Sequence, residues 1–356
     1  MNLKFAWRNV GNEKRLVELE QDLASDKINH AYLFSGPMEV GKLTAAKFFA
    51  QLLICKFEAC GECSDCKLIR SNSHPNLTTV DDLWIEGVNE DWDILAQKTN
   101  FNQSGRAKSP KAKTDIIRID DLREILSRVN NTSDGWNVFV IHNIERMNRE
   151  SANFFLKTLE EPPPKTTFLL TSNNPALLLP TIVSRCRVSN FGNVNPATID
   201  KMLLRDFPGL TEIERVRVVN FSMGKPIRAK RLAENPTVFR EFKEYFEKLK
   251  SLLEKPNVAE KLAFAEKVST DKTEVQKFLE AFTYFLRSFM LTRARQPIAN
   301  SRYTPAKLVG LIRQLNSTKI LIERNINPRL AVENLLLQIG KLGMSESKIF
   351  TTTLSS

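Results

Sequence analysis

The sequence contains no run of about 18 consecutive apolar residues, the length a helix needs to cross a bilayer. Residues 1–15 lack the short apolar core and small-residue cleavage site of a secretion signal. A cytoplasmic chain is therefore expected. No tandem repeat recurs along the 356 residues, which argues against a solenoid or a propeller. Cysteine is sparse outside one short segment: four of the five fall between positions 55 and 66, and Cys186 stands alone. Such crowding points to metal binding rather than a disulfide framework. Acidic residues are outnumbered, 41 against 52 basic, for a formal charge of +11. That balance suits an anionic partner such as nucleic acid or nucleotide, although basic charge is often only a solvated surface.

What the chain does have, over its first 190 residues or so, is an alternation of short apolar runs with helix-like segments, the pattern of an α/β domain with a mostly parallel sheet. Strands are expected at 31–35, 76–80, 137–141, 167–171 and 187–191. Between them, 120–129 and 149–160 space apolar residues for helices, the second placing Ala152, Phe155, Leu156 and Leu159 on one face. Pro162, Pro163 and Pro164 end it. The stretch 87–115 is polar, lacks periodicity and carries Arg106, Lys108, Lys111 and Lys113, and reads as a surface insertion. Beyond about 193 the strand signals vanish. Aromatic and leucine stripes at helical spacing then indicate helices with a core or a subunit interface.

Directly after the first expected strand comes Gly36-Pro37-Met38-Glu39-Val40-Gly41-Lys42-Leu43-Thr44, in which two glycines and a lysine keep phosphate-loop spacing. Backbone N–H groups of such a loop surround phosphate oxygens, the helix N-terminus favours their charge, and the lysine neutralises them. The hydroxyl that should follow the lysine to reach magnesium is missing, because Leu43 stands there. Thr44 lies one position on, rotated by about 100° around a helix. The next apolar strand, Val138-Phe139-Val140-Ile141, runs into His142 and Asn143 where a working NTPase carries carboxylates. His142 fits a structural polar group closing a strand better than a metal ligand or base, and Glu145, two residues beyond Asn143, reaches the site only by a different backbone path. Slow or absent hydrolysis is expected. ATP binding stays open, because the glycines and Lys42 survive.

Cys55, Cys60, Cys63 and Cys66 form a C-x4-C-x2-C-x2-C pattern. Four thiolates fill every position of a tetrahedral zinc ion, so the site would be structural, with no open position for a substrate. An iron–sulfur cluster uses the same ligand type. His74, before Pro75, fits a turn-shaping role better than a metal ligand.

Taken in order, the segment His30 to Pro37, the cysteine knob, Leu156-Lys157-Thr158-Leu159-Glu160-Glu161-Pro162-Pro163 and Ser184-Arg185-Cys186 resemble bacterial clamp-loader subunits of DNA polymerase III. The segment 325–335 is similar to the end of that family's last domain. The resemblance implies an α/β AAA+ domain, RecA-like with a parallel sheet and flanking helices, over 1–192, with the zinc knob at 55–66. An all-α lid over 193–236, an all-α collar over 237–346 and a tail over 347–356 would follow. It implies that Arg185 is an arginine finger acting in trans in a neighbour's ATP site. Gly36, Gly41, Lys42, Thr44, Asn173 and Arg228 would line the chain's own degenerate nucleotide site, Arg228 as the lid arginine and Asn173 as the polar sensor. Val10-Gly11-Asn12 matches the family's adenine-side box in part. Motor subunits keep both strand-end acids and the delta type usually lacks the knob and the Ser-Arg-Cys motif, so the resemblance is to the delta-prime, stator-like type. Its implied partners are the gamma/tau motor and delta subunits, with the sliding clamp and primer-template DNA met through the complex. Two other classes remain: an autonomous DNA-dependent AAA+ ATPase, and a zinc-stabilised DNA-binding module.

Overall fold

A computed structural model describes residues 11–71, 73–80, 116–127, 135–235, 244–252, 257–295, 305–323 and 326–340. The insertion expected at 87–115 and the tail at 347–356 lie outside these described residues. The chain divides into two compact units, 1–208 with 224–229, and 209–223 with 230–356.

The first unit runs α1 (Glu13–Ala24), β1 (Ala31–Ser35), α2 (Lys42–Ile54), α3 (Ser64–Arg70), β2 (Leu77–Val80), α4 (Ile119–Ser127), β3 (Asn137–Ile141), α5 (Arg149–Glu160), β4 (Thr166–Ser172), α6 (Pro180–Val183), β5 (Arg187–Asn190) and α7 (Pro196–Asp206). Its five strands form one sheet in the order β2-β3-β4-β1-β5, every pair parallel. β1 and β4 pair from Ala31 opposite Phe168 to Ser35 opposite Ser172, which brings the ends of both strands to one edge. This is the RecA-like AAA+ architecture, and each strand lies within a residue of its expected position.

Strand alternation divides the core between the two sheet faces. Tyr32, Phe34, Val138, Val140 and Leu169 pack with α1 and α2 residues such as Leu16, Leu19, Ala45 and Phe49. Ala31, Leu33, Phe139, Ile141, Phe168 and Leu170 pack with Leu122 of α4, Phe155 and Leu159 of α5, and Ile182 of α6. α5 keeps its expected limits because Asn148 caps it, its Oδ1 accepting from Ser151 N at 2.8 Å, and the prolines stop it.

The second unit is helical among its described residues. It holds α8 (Glu212–Ser222), the 230–234 portion of α9 (Pro226–Glu234), a helical stretch at 244–252, α10 (Val258–Val268), α11 (Lys272–Arg295), α12 (Pro305–Glu323) and α13 (Pro328–Gly340). Thr211 and Glu214 close a reciprocal capping box at the start of α8. The expected aromatic and leucine stripes form its core, with Phe278, Phe282, Phe285, Leu311, Leu315, Val332 and Leu335 buried together. Among the described residues no helix is long and apolar enough to cross a membrane.

Candidate nucleotide site and cysteine knob

The loop between β1 and α2 begins at the sheet edge. Gly36 has φ 140°, and a Cβ there would lie 2.0 Å from the Phe191 carbonyl oxygen, so only glycine fits. Gly41 takes φ 94° at the N-cap of α2 and carries the chain into Lys42. Lys42 is 4% exposed, and its Nζ donates to Gly36 O at 2.7 Å, Pro37 O at 2.6 Å and Asn173 Oδ1 at 2.8 Å. Burial lowers its pKa from 10.5 to about 8, with Glu145 pulling upward and Lys225 downward. Leu43, at the position of the missing hydroxyl, packs against the apolar core on the α2 face. Thr44 is half-buried on the first turn of the same helix.

Strand ends assemble the rest. Asn173, just past β4, donates from Nδ2 to Asn143 Oδ1 at 2.7 Å, and its backbone N–H donates to Glu145 Oε1 at 2.9 Å. Asn143 adopts φ 55°, a left-handed turn that leads into a short 3-10 segment, Ile144–Arg146. That turn is the backbone path by which the Glu145 carboxylate reaches the site. Its Oε2 is buried with no hydrogen-bond partner among the described residues. His142 meets Thr171 Oγ1 through Nδ1 at 2.7 Å, and Asn143 N–H donates to the same oxygen at 3.0 Å. The residues at the two missing acids thus tie β3 to β4.

Arg228, on the part of α9 that belongs to the first unit, is 2% exposed. Its Nε donates to Glu39 Oε2 at 2.8 Å, with Nη2 also 2.8 Å from that oxygen and Lys225 Nζ 3.9 Å away. Glu39 sits at φ 65° inside the phosphate loop, and its carbonyl accepts from Ile227 N at 3.1 Å. Gly36, Lys42 and Asn173 are therefore linked in one network with Asn143 and Glu145, Arg228 meets the loop through Glu39, and Gly41 supplies the turn into α2. Glu39 lies inside the phosphate-loop motif and Glu145 two residues past Asn143, but the sequence does not mark them as the partners of Arg228 and Asn173.

Arg185 belongs to a different surface feature. It follows α6, where Nη2 donates to Glu160 Oε1 at 2.7 Å and Nη1 to Thr181 O at 3.0 Å. Its side chain is 35% exposed. Glu160 comes from the Leu-Glu-Glu-Pro-Pro motif that ends α5, so two motifs distant in sequence meet in this pair. Cys186 beside it packs against the core, and burial pushes its thiol up to about 12, which makes it inert.

The cysteine knob grows from the other end of α2, where Cys55 is the C-cap. The four sulfurs all lie within 4.8 Å of one another. Cys55 and Cys63 are 3.5 Å apart, and Cys60 stands 4.0 Å from both Cys55 and Cys66. Ligands about 2.3 Å from a tetrahedral zinc ion would stand about 3.8 Å from one another, so the cluster fits that ion. Backbone N–H groups of Glu62 and Cys63 lower the Cys60 thiol to about 7, whereas, against the Cys66 N–H, desolvation and the neighbouring thiols push Cys63 up to about 12, and desolvation raises Cys66. Phe57 N, Gly61 N and Cys66 N donate to Cys55, Cys66 and Cys63 sulfurs respectively. Buried Gln51, on α2, donates from Nε2 to Cys66 Sγ at 3.0 Å. His74 is not among the clustered ligands; its Nδ1 accepts from Asn76 N and its Nε2 lies 3.6 Å from Asp65 Oδ1.

Residues 11–195 match the family described as DNA polymerase III, delta subunit. The delta-prime subunit of DNA polymerase III from Pseudomonas aeruginosa is 30% identical over 240 residues, covering 66% of this chain and 64% of that protein. The tau subunit from Bacillus subtilis is 32% identical over 194 residues, 53% of this chain and 29% of that protein. The chain thus spans less than two thirds of either relative. A solved structure, a DNA polymerase III gamma subunit-related protein from Thermotoga maritima, aligns over 92% of this chain and 99% of its own, with a TM-score of 0.43 and 18% identity. The match over more than half of the chain places it in the family described as DNA polymerase III, delta subunit, in agreement with the resemblance of its motifs to DNA polymerase III clamp-loader subunits.

Proposed function

We propose that the chain is a delta-prime-type clamp-loader subunit, a stator that completes a neighbour's ATP site and helps load a sliding clamp onto primed DNA. The observation that carries this reading is a phosphate loop stripped of its catalytic complement. Lys42 is consumed by chain oxygens, Leu43 turns into the core, and His142 and Asn143 join strands. Arg185, by contrast, is partly exposed and held in a fixed pose by Glu160 and a carbonyl. An arginine supplied in trans to a transferring phosphoryl group contributes about 10³ to 10⁵ in rate. The knob would hold structural zinc. The gamma/tau motor and delta subunits would be its partners in the cytoplasm, through a helical collar within 237–346 that follows the lid at 193–236.

One observation favours the autonomous ATPase instead. Glu145 delivers a carboxylate to Asn173, beside the loop lysine, despite the missing acids. ATP turnover separates the two. The stator predicts none by the chain alone, and a rise on mixing with motor subunit, delta, clamp and primed DNA that is lost in Arg185→Ala. Turnover by the isolated chain, abolished in Glu145→Gln, would establish the ATPase.

A further inference from the structure

We propose that Glu39 is a built-in anion that takes the place of a ligand phosphate against Arg228, so that the loop rejects nucleoside polyphosphates by its own charge. The proposal rests on the reading of this loop as a site without magnesium partners, and concerns binding rather than turnover.

The three cations around the loop are already engaged by the chain. Arg228, almost wholly buried, reaches the Glu39 carboxylate through Nε at 2.8 Å. Lys225 stands 3.9 Å from the same oxygen. Lys42 rests on two loop carbonyls and Asn173. Glu39 also holds its position through the backbone: its φ of 65° is one that few side chains adopt, and its carbonyl is bonded to Ile227, the residue before Arg228. A polyphosphate entering the loop would therefore meet a carboxylate at its rim and a lysine already satisfied. With Leu43 directly after Lys42, the hydroxyl that would hold a magnesium ion between the two negative groups is missing.

Removing the charge while keeping the shape tests this. Titration calorimetry on the full chain with MgATP, and separately with inorganic pyrophosphate, is expected to give weak binding for the native protein. For Glu39→Gln, binding should be about 10 to 100 times tighter, the scale of one like charge removed in partly screened surroundings. The double variant Glu39→Gln with Arg228→Ala should lose the gain, because the freed arginine is what the phosphate would meet. Glu39→Ser carries the test should Glu39→Gln not fold. Glu39→Gln binding no tighter than native, or a gain that survives Arg228→Ala, would overturn the proposal. Neither result bears on the stator reading, which turnover by the isolated native chain would overturn whatever Glu39→Gln binds.

Discussion

At the scale of single residues, the site shows how one backbone choice redirects chemistry. Asn143 in a left-handed turn brings Glu145 to Asn173, and Gly36 lets β1 bend past the Phe191 carbonyl. Lys42 is the residue whose environment has the clearest consequence. Burial lowers its folded pKa to about 8 while the unfolded chain keeps the ordinary 10.5. Between those values the unfolded state holds a proton that the folded state has released. Stability contributed by this group therefore rises as pH increases through that window, and below pH 8 the buried charge is a cost. In Lys42→Met this dependence disappears. Urea midpoints measured from pH 7.5 to 10 are expected to climb for the native chain relative to Lys42→Met, and parallel curves would contradict a lowered lysine.

At the scale of elements, α2 joins two sites. Its first turn carries the phosphate-loop lysine, its C-cap is a knob cysteine, and Gln51 near its end donates to Cys66. Partners that orient a metal ligand typically change metal affinity about 10- to 100-fold when removed. Gln51→Leu, which keeps the apolar volume but deletes the N–H···S bond, should weaken zinc retention by about that factor in competition with a chromogenic chelator. Cys63→Ser should lose the ion altogether. Unchanged retention in Gln51→Leu would reduce Gln51 to a packing residue.

Elements were the part of the fold most legible in the sequence, because periodicity and stop signals are local. Apolar runs of four or five residues marked the strands, and the triple proline marked the end of α5. The four cysteines were legible for the same reason, being crowded into a dozen positions. Partners across the fold were not. The Lys42–Asn173 bond spans 131 residues and the Arg228–Glu39 bond 189, and nothing in the loop sequence distinguishes Glu39 from an ordinary surface acid. Gln51 looks like any helix polar residue until α3 folds back and sets a sulfur against it.

At the scale of the whole molecule, the two units have separate cores, one split across the faces of the sheet and one wholly helical among the described residues. Chains of several domains commonly depart from two-state unfolding. The tryptophans make the units distinguishable. Residues 209–223 and 230–356 contain no tryptophan, whereas Trp136 packs against the core that α2 and Ile69 of α3 share. Tryptophan fluorescence therefore follows the first unit, while far-UV circular dichroism sums helices from both. If the knob binds zinc, the ion stabilises the unit that contains it, because binding to the folded state alone shifts the unfolding balance by mass action. Chelation, or Cys63→Ser, should move the fluorescence transition to lower urea and leave the dichroism component of the second unit where it was. The second unit has no part in the cysteine cluster, so its own core sets that midpoint. Fluorescence and dichroism curves that coincide, and that shift together when the metal is removed, would mean instead that the cores unfold as one cooperative body.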